Sequence, residues 1–183
     1  MRQGVWIAAV VVSSLLVTGA GPARAETSSV ETNSVDGRQS LTRALQGAWL
    51  PLESGLVVGA REGIPLSAKY EIDDGAFQLS VYTSKNGSFS GDAFTEVIVD
   101  YSAGIVLKTI PISDDGDLGA ARAQKEAMDR AKRSLAEATA DAVKANAGYR
   151  AVSATPRLDN GRPVAEVKLV RGDEWRVVSE YLD

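Results

Sequence analysis

Two short turns constrain this chain more than any other feature of its sequence. Asp73-Asp74-Gly75 separates the alternating segments 68–72 and 76–83, and Asp159-Asn160-Gly161 separates 149–158 from 164–170. Asp-Gly and Asn-Gly between alternating runs specify tight β-hairpins, because both central residues of such a turn need positive φ. A helical pattern precedes each hairpin and a further strand-like run follows it, at 94–100 and at 175–182. Gly63 lies 12 residues before Gly75, and Gly148 lies 13 before Gly161. One supersecondary unit is therefore written twice. The predicted class is α+β: two helix-plus-antiparallel-sheet units, each a helix packed on a sheet of three to four strands.

The copies differ in length. Gly75 to Tyr101 spans 26 residues and Gly161 to Tyr181 spans 20, a difference of 6 that falls in the polar, glycine-bearing loop 84–93. Loops absorb insertions at little cost. With one residue slipped, 94–101 aligns on 175–181, and Val97, Asp100 and Tyr101 face Val177, Glu180 and Tyr181. Gly104 turns the first copy into a fourth strand, 105–112.

Ahead of the repeats, Arg2 is followed by an apolar run, 5–17, and then by Ala23-Arg24-Ala25. A basic start, a short apolar stretch and a small-residue site are the parts of a secretory signal peptide. The run falls short of the roughly 20 residues that span a bilayer. Cleavage is expected after Ala25, which places the product in the periplasm or the medium, with no stable membrane insertion.

Removing 1–25 takes away two arginines and no acid, so the formal charge moves from −4 to −6. Nucleic-acid binding wants a clustered basic face, so it is excluded as a partner class. Neither cysteine nor histidine occurs. Their absence removes Cys-His and Ser-His nucleophile systems, thiolate and imidazole metal sites, and the usual general base near neutral pH. It also leaves the fold to core burial alone, although exported chains of this size often carry disulfides. The expectation is a non-enzyme with no cofactor.

The remaining boundaries follow from local signals. Residues 26–39 are polar and aperiodic and read as a disordered spacer. Ser40 is placed to cap a helix carrying Leu41, Ala44, Leu45, Ala48 and Trp49 at helical spacing, and Pro51 forces a restart that runs to Gly63. The first domain is thus 40–112. Residues 113–117 are dense in acid but lack the alternate spacing and final glutamate of a calcium loop, so they read as a linker whose Asp117 caps the next helix. The second domain, 118–183, opens with one long helix, 118–147, whose seam of Ala121, Met128, Leu135 and Ala142 is small enough to pack on a sheet.

At 68–82 (Ala-Lys-Tyr-Glu-Ile-Asp-Asp-Gly-Ala-Phe-Gln-Leu-Ser-Val-Tyr) and 96–104 (Glu-Val-Ile-Val-Asp-Tyr-Ser-Ala-Gly) the sequence resembles PepSY domains, the module of thermolysin-type peptidase propeptides and of exported bacterial proteins. Its Asp-x-x-x-Gly corner corresponds to Asp100 through Gly104. The second copy is a weaker match and stops where that corner would follow. The resemblance implies a helix across a small antiparallel sheet, a non-catalytic role, and a capacity to bind or restrain an envelope peptidase or another exported protein. It brings no catalytic residues.

Candidate contacts are therefore drawn from the residues themselves. Lys85, Asn86 and Phe89 place one hydrophobic anchor in the flexible 84–93 loop, suited to pairing as an extended segment. Tyr82, Tyr101, Trp175 and Tyr181 offer aromatic surface that a small-ligand carrier would use in a groove between helix and sheet. Aromatics on a short fold are more often core, and that expectation extends to Trp49. A structural or stress-related envelope protein without a dedicated ligand is the third reading. Asp100 and Glu180 form a conceivable carboxylate pair, but as equivalents in different copies they are expected to serve turns rather than chemistry.

Overall fold

Both turns form as their residues dictate. Asp74 and Gly75 have φ of 48° and 78°, and Asn160 and Gly161 have 50° and 80°, so each pair occupies the left-handed region that a two-residue hairpin requires. The computed structural model describes residues 35–85 and 93–183. In chain order the elements are α1 (Val35–Leu45), α2 (Leu52–Gly59), β1 (Ile64–Asp73), β2 (Ala76–Lys85), β3 (Ala93–Val99), β4 (Val106–Pro111), α3 (Asp115–Asp129), α4 (Leu135–Ala145), β5 (Arg150–Asp159), β6 (Arg162–Arg171) and β7 (Glu174–Tyr181).

The α+β class holds, but the expected pair of separate sheets does not. All strands join one seven-stranded antiparallel sheet in the order β4-β3-β2-β1-β5-β6-β7. The reason lies at the first strand of each hairpin, which would otherwise be an open edge. Instead β1 and β5 pair, with Ala68 opposite Ala154 and Lys69 opposite Ser153. Ala154 follows Ala68 by the same 86 positions that separate Gly161 from Gly75, so each copy meets the other at its own equivalent residue and a pseudo-two-fold axis passes through that pair. The likeness extends to irregularities. A register shift between Pro65 and Ser67 in the first hairpin recurs between Ala151 and Ser153 in the second.

The third strands align differently from the sequence expectation. Val81 faces Val97, and its equivalent Val167 faces Val178, so Val97 corresponds to Val178, Phe94 to Trp175 and Val99 to Glu180. The slipped alignment is off by one residue, which in a strand exchanges the two faces.

Helices α2 and α4 pack against each other and cover the face bearing Leu79, Val81, Val97, Ala165, Val167 and Leu169, all fully buried. Copy one starts α2 with Pro51, whose φ of −66° is already set for the turn, while copy two uses a capping box between Ser134 and Glu137. The entry to each helix is anchored alike. The amides of Trp49 and Leu50 donate to the Tyr101 carbonyl, and those of Lys132 and Arg133 donate to that of Leu182.

Those last two bonds explain why 118–147 is not one helix. The chain leaves helical geometry after Asp129 to reach Leu182, and restarts at Leu135. Helix α3 also begins earlier than expected, inside the supposed linker: Asp114 caps it by accepting from the amides of Gly116 and Asp117, and Asp117 itself is buried. Likewise α1 starts at Val35, so Ser40 is interior and 35–39 are helical, held by the buried stripe Gly37, Leu41 and Leu45. The rest of the expected spacer, the signal segment and most of the 84–93 loop lie outside the described residues.

The Asp100–Gly104 corner forms as the pattern suggested. Asp100 Oδ1 accepts from the amides of Ser102 and Ala103, the Gly104 amide returns to the Asp100 carbonyl, and Gly104 has φ of 68°. Those two amides hold the Asp100 carboxyl below the usual range. A β4 strand follows, at Val106–Pro111.

Candidate functional site

The face of the sheet opposite α2 and α4 carries a row of polar groups built by strand alternation. Where Ala68, Tyr70, Leu79 and Val81 point into the main core, their neighbours Lys69, Glu71, Ser80, Tyr82 and Glu96 point the other way. Lys69 Nζ lies 2.6 Å from Glu71 and 5.5 Å from the centre of the Tyr82 ring. Ser80 Oγ donates to Glu71 Oε1 at 2.7 Å, Gln78 Nε2 donates to Ser80 Oγ at 3.0 Å, and the Tyr82 hydroxyl donates to Glu96 Oε1 at 3.2 Å.

Burial dominates the electrostatics. It pushes the Glu96 carboxyl up, a change reinforced by Glu71 and opposed by hydrogen bonds from Ser80 and Tyr82 and by Lys69. The Tyr82 phenol is raised well above its ordinary value, first by burial and then by Glu71 and Glu96. Such a cluster offers hydrogen bonds. Its single cation is already matched by Glu71, and among the described residues no group of three or more acidic side chains is disposed to hold a metal.

Helix α3 closes one end of this face. Its buried positions are Asp117, Ala121, Gln124 and Ala127, and Ala121 packs with Leu66 and Phe94 in a cluster separate from the main core. Two of those four positions are polar. Ser67, opposite Tyr82, and Ser84, opposite Phe94, belong to the same face. The hydroxyls of both serines and Oε1 of Gln124 are buried without a partner among the described residues. A buried polar atom left unpaired costs about 1–3 kcal/mol, so each of these atoms marks a place that water or a polar group of a ligand would satisfy.

The residues nominated from sequence do not converge. Tyr82 sits in the polar row. Lys85 is exposed at the end of β2, and Asn86 and Phe89 lie outside the described residues. Tyr101 is half-buried, its ring 4.9 Å from that of Phe77, which stacks in turn on Tyr70 at 5.4 Å. That stack is structural: the Tyr70 hydroxyl donates to the Leu50 carbonyl and burial pushes its pKa up to about 12. Trp175 is half-buried beneath the Arg38 guanidinium, and Tyr181 is exposed with Arg162 4.2 Å from its ring centre. Trp49, expected in the core, is 84% exposed. Backbone bonds to Tyr101 fix its loop on the rim, and Leu50 takes the inward position instead. Asp100 and Glu180 stand on opposite flanks of the sheet, with β2, β1, β5 and β6 between their strands. Sequence reasoning passed over Lys69, Glu71, Ser80 and Glu96, whose signal was their alternation with Ala68, Tyr70, Leu79 and Val97.

The fold and this face define an α+β protein of two joined helix-and-hairpin repeats. No protein-family model matches the chain, and no curated protein sequence matches it. Among solved structures it is similar to a Clostridium difficile 630 protein provisionally classed as a lipoprotein, with 13% identity and a TM-score of 0.42 over 75% of this chain and 90% of that one.

Proposed function

We propose that this chain is an exported, non-catalytic binding protein of PepSY type that restrains an envelope peptidase. The observation that carries the reading is the free side of β4. This strand ends the sheet, so its outer backbone groups have no strand partner among the described residues, and Leu107 is exposed along it. Ile105 and Trp49 are exposed at its near end, on the corner where Trp49 and Leu50 bond to Tyr101. An open edge with apolar anchors suits an extended segment of a partner, which adds to the sheet by main-chain hydrogen bonds and is selected by its alternate side chains. Pro111 limits that pairing to a few residues. The test adds the exported protein to a peptidase assay on envelope extract, beside a Trp49→Ala/Leu107→Asp variant and one lacking residues 86–91. The expected result is slowed proteolysis that the Trp49/Leu107 variant loses. Unchanged proteolysis, or equal slowing by that variant, rejects the reading; loss on the loop deletion alone moves the contact to that loop.

The unpartnered Ser67, Ser84 and Gln124 atoms favour a second reading, a carrier of a small polar ligand beneath α3. A panel of small polar molecules that raises the melting temperature of the protein, with the rise abolished by Ser84→Ala, supports the carrier; no shift across the panel excludes it.

A further inference from the structure

The pseudo-two-fold leaves one position without its mate. In the first copy the outer side of β3 is paired by β4, whereas the equivalent strand of the second copy, β7, has no outer neighbour among the described residues. The two flanks of the sheet are also guarded differently. Strand β4 has 6 residues and ends in Pro111, which has no amide to donate. Strand β7 has 8 residues, Glu-Trp-Arg-Val-Val-Ser-Glu-Tyr, and no proline. Val177 and Tyr181 are 57% and 53% exposed upon it. A long, partly apolar edge without such a guard is a template for another strand.

The order of side chains on β7 says which strand. We infer that β7 pairs antiparallel with β7 of a second copy, centred on Val178, to make one continuous fourteen-stranded sheet. About that centre Arg176 lies opposite the second copy's Glu180, Trp175 opposite its Tyr181, and Val177 opposite its Ser179, each pair occurring twice by symmetry. Opposite charges and aromatic pairs directly across an antiparallel ladder are the stabilising combinations. Arg176 and Glu180 share the face of Val178, toward α4, because their partners on β6, Leu169, Ala165 and Val167, all point into the core. Trp175, Val177, Ser179 and Tyr181 share the other. Arg176 spends single N–H groups on Asn146 Oδ1 and the Tyr149 hydroxyl, and a guanidinium with five donors retains others for Glu180. The contact is isologous, as a two-fold dimer requires.

Sedimentation equilibrium of the exported protein over a concentration series reads the association. The expected outcome is a mass that climbs toward twice the monomer's. Glu180→Arg sets Arg against Arg and is expected to leave a monomer, and the exchange Arg176→Glu/Glu180→Arg is expected to restore the dimer. Because the chain holds no cysteine, Val178→Cys provides an independent check: opposite its own copy it is expected to form a disulfide-linked dimer on mild oxidation, while Lys108→Cys on β4 does not. A monomer at every concentration, or a dimer that Glu180→Arg leaves intact, overturns the inference. So does linkage through Lys108→Cys in place of Val178→Cys. The peptidase assay above is independent of β7, so failure of either idea leaves the other standing.

Discussion

The two copies solve the same packing problem with different side chains. Where α2 crosses the sheet it offers Gly55 to Leu79; the corresponding residues of the second copy are Ala138 on α4 and Ala165 on β6, both fully buried. A Cβ built at Gly55 would lie 2.5 Å from Leu79 Cδ2. Copy one thus puts all of its bulk at this contact on the strand, while copy two divides a smaller bulk evenly between helix and strand. The next helical turn breaks the pattern: Gly59 faces Val81 in copy one, while copy two has Ala142 where the strand residue is again a valine, Val167. What is shared between the copies is backbone register; the residues at the contacts, and the volume they fill, differ.

The largest effect is expected from undoing that exchange. Leu79→Ala removes a fully buried side chain and is expected to cost about 2–5 kcal/mol. Adding Gly55→Ala rebuilds the pairing of copy two and is expected to recover part of the loss, as a positive coupling in chemical denaturation; independent, additive losses would break the comparison. Next comes Gly59→Ala. Alanine gains up to about 1 kcal/mol of helix propensity over glycine, but its Cβ would stand 2.5 Å from Val81 Cγ1 and 2.8 Å from Val81 Cβ, which no flexible chain end can yield. A net loss of about 1–3 kcal/mol is expected from the overpacking. Thermal melts beside Ala142→Gly show whether each helix is tuned to its own strand.

A smaller effect separates the two helix starts. Ser134→Ala removes the hydroxyl that accepts from the Glu137 amide at the start of α4, leaving the Glu137 carboxylate on the amide of residue 134, and is expected to cost about 1 kcal/mol. The corresponding position in copy one, Pro51, has no side-chain cap to lose. The smallest concerns the polar row, which copy one has in fuller form. The Glu96 carboxyl sits above the ordinary carboxylate value of 4.5 in the fold, so the native state holds the proton more tightly than the unfolded chain. Its contribution is therefore present below about pH 4.5 and is lost as the pH rises through the raised folded value. Glu96→Gln is expected to flatten stability across that window in denaturant titrations, and an unchanged profile would place the dependence on another group.

The hairpins were legible because their turns are chemically forced: Asp74-Gly75 and Asn160-Gly161 leave few alternatives. Pro51 was readable for the same reason. The break between α3 and α4 was harder, since Arg130 to Arg133 are good helix formers and only the tertiary pull of the Leu182 carbonyl stops them. The Ser134-x-x-Glu137 spacing was the local sign of it. The junction of β1 with β5 had no local sign, because a strand edge reads alike whether it meets water or another strand. The polar row followed the same logic: strand alternation names two faces, and only the fold says that α3 covers part of the second.

That junction has a kinetic consequence. Each hairpin closes over a two-residue turn, and such closures take about 1–10 μs. The ladder between β1 and β5 joins residues 86 and 84 apart, through the pairs at Ala68 and Lys69. Contacts so distant in the chain must overcome loop-closure entropy before they return any energy, and they set the pace of folding. Two quick halves therefore wait on one slow seam, and until it closes each exposes an edge of β1 or β5 that fits the other half of any neighbouring chain equally well.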